Sequence, residues 1–342
     1  MLSKKIIFRA DANNQIGLGH IMRCLALASI LKNKFHCIFV IASTDTKITT
    51  LISQMCPVII LLSKNQKEEL YELEKVLESD DIVVTDGYHF DTCYQKHIKS
   101  KVKSLVMIDD KADMDYFADI IINHGNSAIK NTYKAQSYTQ ILTGFSYLMV
   151  RPEFLAASHK NRQVYKNGTV FICMGGADPF NITIKAFEAC ITTDFVKNII
   201  IITGSSYAYK TKLKSLININ KHKTVDWNED VSAKTLVELI KKSQIAICPA
   251  STIALEVCCV KAALLTGTVR DNQEAIHNQL LYSECCISLG NMNIATIQDF
   301  KSALLSLNNV QFINDIVRAQ SKAIDGKSGE RILNIFEQVS KH

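Results

Sequence analysis

The stretch that decides the fold is Phe8–Ala28, FRADANNQIGLGHIMRCLALA. A short run, Lys5–Arg9, reads as a strand that ends on the charged Arg9, with Asp11 just beyond. A polar loop carrying Gly17 and Gly19 comes next, and an apolar helical run, Ile21–Leu31, opens at His20. Strand, polar loop and helix in that order form the first half of a βαβ unit. Working outward, the pattern repeats. Cys37–Ala42, Val58–Leu62, Ile82–Thr85, Leu105–Ile108 and Ile120–Ile122 read as strands, and Lys67–Leu77 and Asp91–Lys99 as helices between them. This alternation predicts a parallel, doubly wound sheet.

The alternation breaks over Arg151–Gly168 (RPEFLAASHKNRQVYKNG), a polar stretch opening on Arg-Pro, and then restarts. Thr169–Cys173, Asn198–Thr203, Ile245–Cys248 and Ala263–Thr266 read as strands. Helices are expected near Ile182–Cys190, Tyr209–Leu216, Thr235–Lys242, Thr252–Cys259 and Glu274–Tyr282, and helical periodicity returns over Gly329–Val339. The expected organisation is an α/β chain of two Rossmann-like domains, 1–155 and 165–325, with a C-terminal helix over 326–342 able to pack back on the first. Open parallel sheets bind ligands at the carboxyl ends of their strands, so a cleft between two such domains is the expected site.

Composition agrees with two packed domains. The chain has 342 residues, 47% of them hydrophobic and 21% charged. Its 13 glycines and 4 prolines fall well below the usual ~7% and ~5%, which excludes collagen-like and low-complexity designs. No apolar run approaches the ~18 residues of a membrane span. The N-terminus reaches Arg9 and Asp11 too soon for a signal peptide, so a cytoplasmic location is expected. The eleven cysteines lie in apolar runs without a CxxC pair, which points to buried, reduced thiols and not to disulfides or a metal site. Residues 1–150 carry 17 Lys/Arg against 16 Asp/Glu, and 151–342 carry 22 against 17. The basic excess of the second half suits a small anionic ligand. Without a polybasic tract interleaved with aromatics, it does not suggest nucleic acid.

The loops after the strands carry the candidate chemistry. Gly17-Leu18-Gly19 resembles the start of a dinucleotide fingerprint, but Met22 replaces the third glycine, which argues against a nicotinamide cofactor. A histidine in the first helical turn sits in the positive end of the helix dipole, which favours a neutral imidazole able to take a proton from water. Arg9, Asp11 and Arg23 flank His20. Asp86-Gly87-Tyr88 places an acid and a phenol at the same sheet edge, and Asp109-Asp110 follow the next strand. Asp113-Met114-Asp115 forms a DxD triplet but sits in an acidic run that reads as a solvated face, so no metal site is expected.

In the second half, Gly175-Gly176-Ala177-Asp178-Pro179 leads from a strand into a helix whose N-terminal N–H groups are expected to face a ligand. Pro249-Ala250-Ser251-Thr252 opens another helix with hydroxyl residues, and Glu256 stands one turn further in. That spacing suits a diphosphate at the helix N-terminus and a ribose diol on the carboxylate. Asp271, Asn272 and Gln273 supply groups that can donate and accept near a sugar.

Taken together, FRADANNQIGLGHIMRCLALA, TDGYHFD, the acidic pair of VMIDD, LMVRPEF, MGGADPFNIT, STIALE and DNQ resemble the UDP-2,4-diacetamido-2,4,6-trideoxy-β-L-altropyranose hydrolase family. These are nucleotide-sugar hydrolases of pseudaminic acid biosynthesis with the GT-B fold, and the segments occur in family order over nearly the whole chain. The resemblance implies metal-independent hydrolysis without a cofactor: water attacks the anomeric carbon with inversion and UDP leaves. It implies His20 as general base, with Tyr88 and Asn272 in the same catalytic site. The candidate substrate- and UDP-binding residues, read from the strand-end loops themselves, are Arg9, Asp11, Gly17, Gly19, Arg23, Asp86, Gly175, Gly176, Ser251, Thr252, Glu256, Asp271 and Gln273. Three departures from the family pattern stand out. His124 replaces a common Gln, Phe145 replaces Pro after Gly144, and Pro249-Ala250 replaces a glycine-rich pair.

Two other readings share these features. A GT-B glycosyltransferase could use the same UDP site and histidine to activate an acceptor hydroxyl, but no acceptor groove or membrane-facing patch is visible in the first half. A non-catalytic nucleotide-sugar-binding protein would bind UDP-sugar without releasing UDP. The expected partner is a small UDP-sugar, with no nucleic acid and no membrane span.

Overall fold

The computed structural model describes residues 4–12, 19–42, 45–63 and 65–341. The chain divides into two compact units, Met1–Pro152 with Lys327–His342, and Glu153–Gly326.

The first unit holds strands β1 (Lys5–Ala10), β2 (His36–Ile41), β3 (Val58–Ile60), β4 (Ile82–Asp86), β5 (Ser104–Ile108), β6 (Asp115–Tyr116), β7 (Ile120–Asn123), β8 (Lys134–Ala135) and β9 (Gln140–Thr143). Seven of them form one parallel sheet in the order β3-β2-β1-β4-β5-β7-β9, while β6 and β8 pair separately. Helices α1 (Gly19–Leu31), α2 (Thr46–Ser53), α3 (Gln66–Glu74) and α4 (Thr92–Lys99) connect the strands. The central strands are buried on both faces and read as continuous apolar runs, as a helix-covered parallel sheet requires. The order reverses between β1 and β4, where Ala10 pairs with Asp86. That reversal opens a crevice at the strand ends, the usual ligand position in such sheets.

The second unit repeats the architecture. After α5 (Pro152–Ser158) come β10 (Thr169–Cys173), α6 (Ile182–Ile191), β11 (Asn198–Thr203), α7 (Lys210–Ile219), β12 (Thr224–Glu229), α8 (Ala233–Lys242), β13 (Ile245–Pro249), α9 (Thr252–Val260), β14 (Ala263–Thr268), α10 (Glu274–Tyr282) and β15 (Cys286–Asn291). Helices α11 (Ile297–Ser306) and α12 (Val310–Ala323) complete it. The six-stranded parallel sheet runs β12-β11-β10-β13-β14-β15 and reverses between β10 and β13.

Helix α13 (Ser328–Lys341) returns to the first unit. Ile332, Ile335 and Phe336 join its core, and the Phe336 ring meets Phe35 edge-on at 6.4 Å between centroids. All eleven cysteines are free thiols, buried except for Cys93 on the surface and the half-buried Cys286.

Candidate active site

At the β1/β4 reversal a pocket of about 260 Å³ is lined by Asp11, His20, Asp86, Gly87, Tyr88 and His89. Strand β4 ends on Asp86, whose side chain has no exposed surface. Such a carboxylate is tolerated only when well partnered. Arg23, one turn into α1 from His20, grips it bidentately, with Nε donating to Oδ2 at 2.8 Å and Nη2 to Oδ1 at 2.6 Å. Burial opposes ionisation of Asp86, yet the Arg23 charge and the bonds from Arg23 and His20 hold its carboxyl below the usual range.

His20 Nδ1 lies 2.6 Å from Asp86 Oδ1 and 3.3 Å from Arg23 Nη2. Two unprotonated acceptors would repel at 2.6 Å, so Nδ1 carries the proton and donates to Asp86, and the lone pair of neutral His20 is on Nε2. The ring meets Tyr88 edge-on at 5.0 Å between centroids. Tyr88 itself is exposed, its hydroxyl 3.4 Å from Asp110 Oδ2, and Lys111 Nζ stands 4.2 Å from its ring centre. Asp110 Oδ2 also accepts from Arg23 Nη1 at 3.1 Å. With His20 neutral, Arg23, Asp86 and Asp110 together carry one net negative charge. Proton uptake by His20 brings the group to neutrality.

The sequence reading placed Arg9 among the substrate- and UDP-binding residues; the structure sets it behind the pocket wall. The Arg9 side chain has no exposed surface and does not line the pocket. Its Nη2 sits 2.7 Å from Asp11 and 2.9 Å from Glu69, and Nε donates to Glu69 Oε1 at 2.9 Å, where Tyr94 also donates at 2.8 Å. Arg9 therefore anchors Asp11, whose Oδ1 also accepts the Ala42 N–H at 2.7 Å. Gly19 is exposed as the first residue of α1, and Gly17 lies outside the described residues.

His124, at the end of β7, is buried and accepts the Met149 N–H on Nδ1 at 3.1 Å. Burial and then the Arg23 charge push its imidazole down to about 3, so it is a neutral structural acceptor. A glutamine, common at this place in the resembling family, could supply the same acceptor.

In the second unit, Gly175 and Gly176 follow β10 with open space where a Cβ would stand, and Gly175 takes φ +86°. A Cβ on Gly204 would lie 2.4 Å from the Gly176 carbonyl oxygen, so β11 approaches this loop as closely as glycine permits. The sequence reading expected free N–H groups at the N-terminus of α6, but two of them are already taken. The Asp178 carboxylate already accepts from Ile182 and Thr183 at 2.9 and 2.8 Å. At helix α9 the N-cap Ser251 makes no side-chain capping bond, and its carbonyl accepts the Ala254 and Leu255 N–H groups at 2.9 and 3.4 Å. Pro249 ends β13 with no N–H to give, and the Ala250 N–H donates to Gly267 at 2.8 Å. The chain thereby turns into half-buried Ser251 and Thr252, with Glu256 buried one turn on. Asp271 and Asn272 are exposed on the turn after β14, while Gln273 Oε1 accepts the Val269 N–H at 2.8 Å and so holds that turn together.

The structure thus gathers His20, Arg23, Asp86 and Tyr88 with Asp11 nearby in the first unit. It sets Gly175, Gly176, Ser251, Thr252, Glu256, Asp271 and Asn272 on loops or helix starts after the strands of the second. Asp110 was legible only as one of an acidic pair past a strand. Its tie to both Arg23 and Tyr88 depends on β5 lying beside β4.

No family model matches the chain. It is 27% identical over 276 residues to the UDP-2,4-diacetamido-2,4,6-trideoxy-beta-L-altropyranose hydrolase of Campylobacter jejuni, covering 79% of this chain and 94% of that one. Among solved structures, Acinetobacter baumannii MurG superposes with a TM-score of 0.69 at 12% identity, over 98% of this chain and 99% of that chain. Anabaena HepE in complex with UDP gives 0.61 at 13% identity, over 99% and 100%. At these identities the structural matches establish the fold, which is GT-B. The chain is thus a GT-B-fold relative of UDP-2,4-diacetamido-2,4,6-trideoxy-β-L-altropyranose hydrolase, similar to it across most of both lengths.

Proposed function

We propose that this protein is an enzyme that hydrolyses UDP-2,4-diacetamido-2,4,6-trideoxy-β-L-altropyranose to UDP and the free sugar, in pseudaminic acid biosynthesis. The observation that carries the reading is the His20–Asp86 pair. A buried carboxylate fixes the imidazole tautomer, and the ring borders a pocket at the sheet's reversal point.

In the proposed mechanism His20 Nε2 takes a proton from water as its oxygen bonds to the anomeric carbon. The bond from that carbon to the diphosphate oxygen breaks, and its electron pair leaves with UDP. Attack from the face opposite the leaving group inverts the configuration. Ordinary glycosidases need an acid because an alkoxide leaves poorly. A diphosphate leaves readily, so one base with electrostatic stabilisation of the departing charge suffices.

Tyr88 and Asn272 position the sugar in this account, the α9 N-terminus at Ser251–Thr252 receives the diphosphate, and Glu256 takes the ribose. The test is incubation of the purified protein with this UDP-sugar alone, with and without a chelator. UDP and free sugar should appear in both. No release, or release abolished by the chelator, would contradict the metal-independent mechanism.

A further inference from the structure

A second cavity of about 430 Å³ adjoins the first, lined by Ala42, Ser63, Asn65, Gln66, Glu69, His89 and Asp91. His89 lines both cavities, so it is the wall they share. The cavity at His20, about 260 Å³, falls below the ~300–1,000 Å³ of ordinary small-molecule sites, and only with its neighbour does it reach that range.

Among the described residues, the charges around the second cavity disfavour an anion. Arg9 stands behind the wall, its Nε and Nη2 turned to Asp11 and Glu69 and only its Nη1 buried without a partner. Asp91 adds a further carboxylate, spent on the Tyr94 N–H at 2.8 Å. Burial, and after it the Arg9 charge, lower the pKa of His89 and favour a neutral ring. A diphosphate would meet net negative charge from the described residues here.

What the cavity offers is neutral hydrogen bonding. Gln66, exposed at the start of α3, donates Nε2 to the His89 carbonyl at 3.3 Å, and its Oε1 is the acceptor that an amide N–H requires. Ser63 brings a hydroxyl that can donate to a carbonyl, and Ala42 an apolar surface that a methyl group can cover. Acceptor, donor and methyl-sized apolar contact are together the complement of an acetamido group.

We propose that this cavity is the subsite for one of the two acetamido arms of the sugar, read by Gln66 and Ser63. The inference rests on the hydrolase reading given above. It makes substrate choice a property of the first unit's β2–β4 loops, separate from the base.

The experiment compares wild type and Gln66→Ala on three UDP-sugars: the diacetamido substrate and two analogues, each with one acetamido group replaced by an amine. With the full substrate the variant should lose about tenfold in kcat/KM, mainly through KM, as expected when a polar group of the substrate is left without its partner. For one of the two analogues the difference between wild type and variant should vanish. An equal loss on all three, or no loss on the full substrate, overturns the subsite. If wild type releases no UDP from any of them, the hydrolase reading fails. Calorimetric affinities of the same proteins for the same three ligands then decide the subsite by the same comparison, and equal affinity changes overturn it.

Discussion

His20 Nδ1 stands 2.6 Å from Asp86 Oδ1, a carboxylate that ends a central strand with no exposed surface. The bond joins the first turn of α1 to the tip of β4, the two elements on either side of the sheet's reversal point. A carboxylate behind a histidine fixes the tautomer and stabilises the imidazolium formed when the ring takes a proton. Asp86→Asn keeps the shape and removes the charge. We expect kcat to fall by roughly 10²–10⁴ with little change in UDP affinity. Steady-state kinetics beside UDP calorimetry checks this, and an unchanged kcat removes Asp86 from the mechanism.

Arg23 is the counter-ion that makes a buried Asp86 tolerable, through two short bonds. Arg23→Ala strands that carboxylate and should destabilise the protein by about 3–5 kcal/mol, read as a shift of the urea midpoint. The double variant Arg23→Ala/Asp86→Asn should recover part of the loss. Two additive losses would show that the residues do not depend on each other.

His124 makes stability depend on pH. Its folded-state pKa of about 3 lies below the ~6.5 of an unfolded histidine, so the unfolded chain binds a proton that the folded chain refuses. Its share of stability is full above pH ~6.5 and is lost as pH falls toward 3, the loss reaching about 2 kcal/mol by pH 5. His124→Gln retains an acceptor for the Met149 N–H and should flatten this part of the profile. Urea denaturation at pH 5 and pH 8 checks it, and identical pH dependence in both proteins would contradict the assignment.

Glu256 and Gly204 test the second unit. Glu256→Gln should raise the Kd for UDP about tenfold, the scale of one charge-assisted hydrogen bond. Gly204→Ala should also weaken UDP binding, because its Cβ would meet the Gly176 carbonyl oxygen at 2.4 Å and displace the Gly175–Gly176 loop. Titration calorimetry reads both, and unchanged affinities contradict the placement of UDP on these loops.

The doubly wound fold was legible because the central strands are uninterrupted apolar runs, as in Ile199–Ile202, each followed by a helix with a clear period. The edges were harder. Strand β12, TVDWNE, alternates polar residues with a half-buried Val225 and Trp227, and it is held by partners distant in sequence, such as Thr203 Oγ1 accepting from Trp227 Nε1 at 2.9 Å. Helix α2, TKITTLIS, is rich in β-branched residues and forms through the Asp45 cap and the Ile48–Ile52 face. At the site, His20 and Asp86 were each readable as strand-end residues, but their pairing was not, since sixty-six positions separate them. That Asp178 closes the α6 N-terminus was not, because a carboxylate four residues upstream of Ile182 reaches it only when Asp178 adopts φ +40° and Asn181 φ +54°. The burial of Arg9 was likewise hidden, since Glu69 lies sixty positions away.

The account's central claim is that His20 activates water for inverting displacement of UDP. The most direct measurement follows the anomeric proton signals by NMR during turnover of UDP-2,4-diacetamido-2,4,6-trideoxy-β-L-altropyranose by wild type and His20→Ala. Wild type should first yield the sugar of inverted configuration, and His20→Ala should bind UDP normally yet turn over at least ~10²-fold more slowly. A first-formed product of retained configuration, or a His20→Ala variant as fast as wild type, would contradict it.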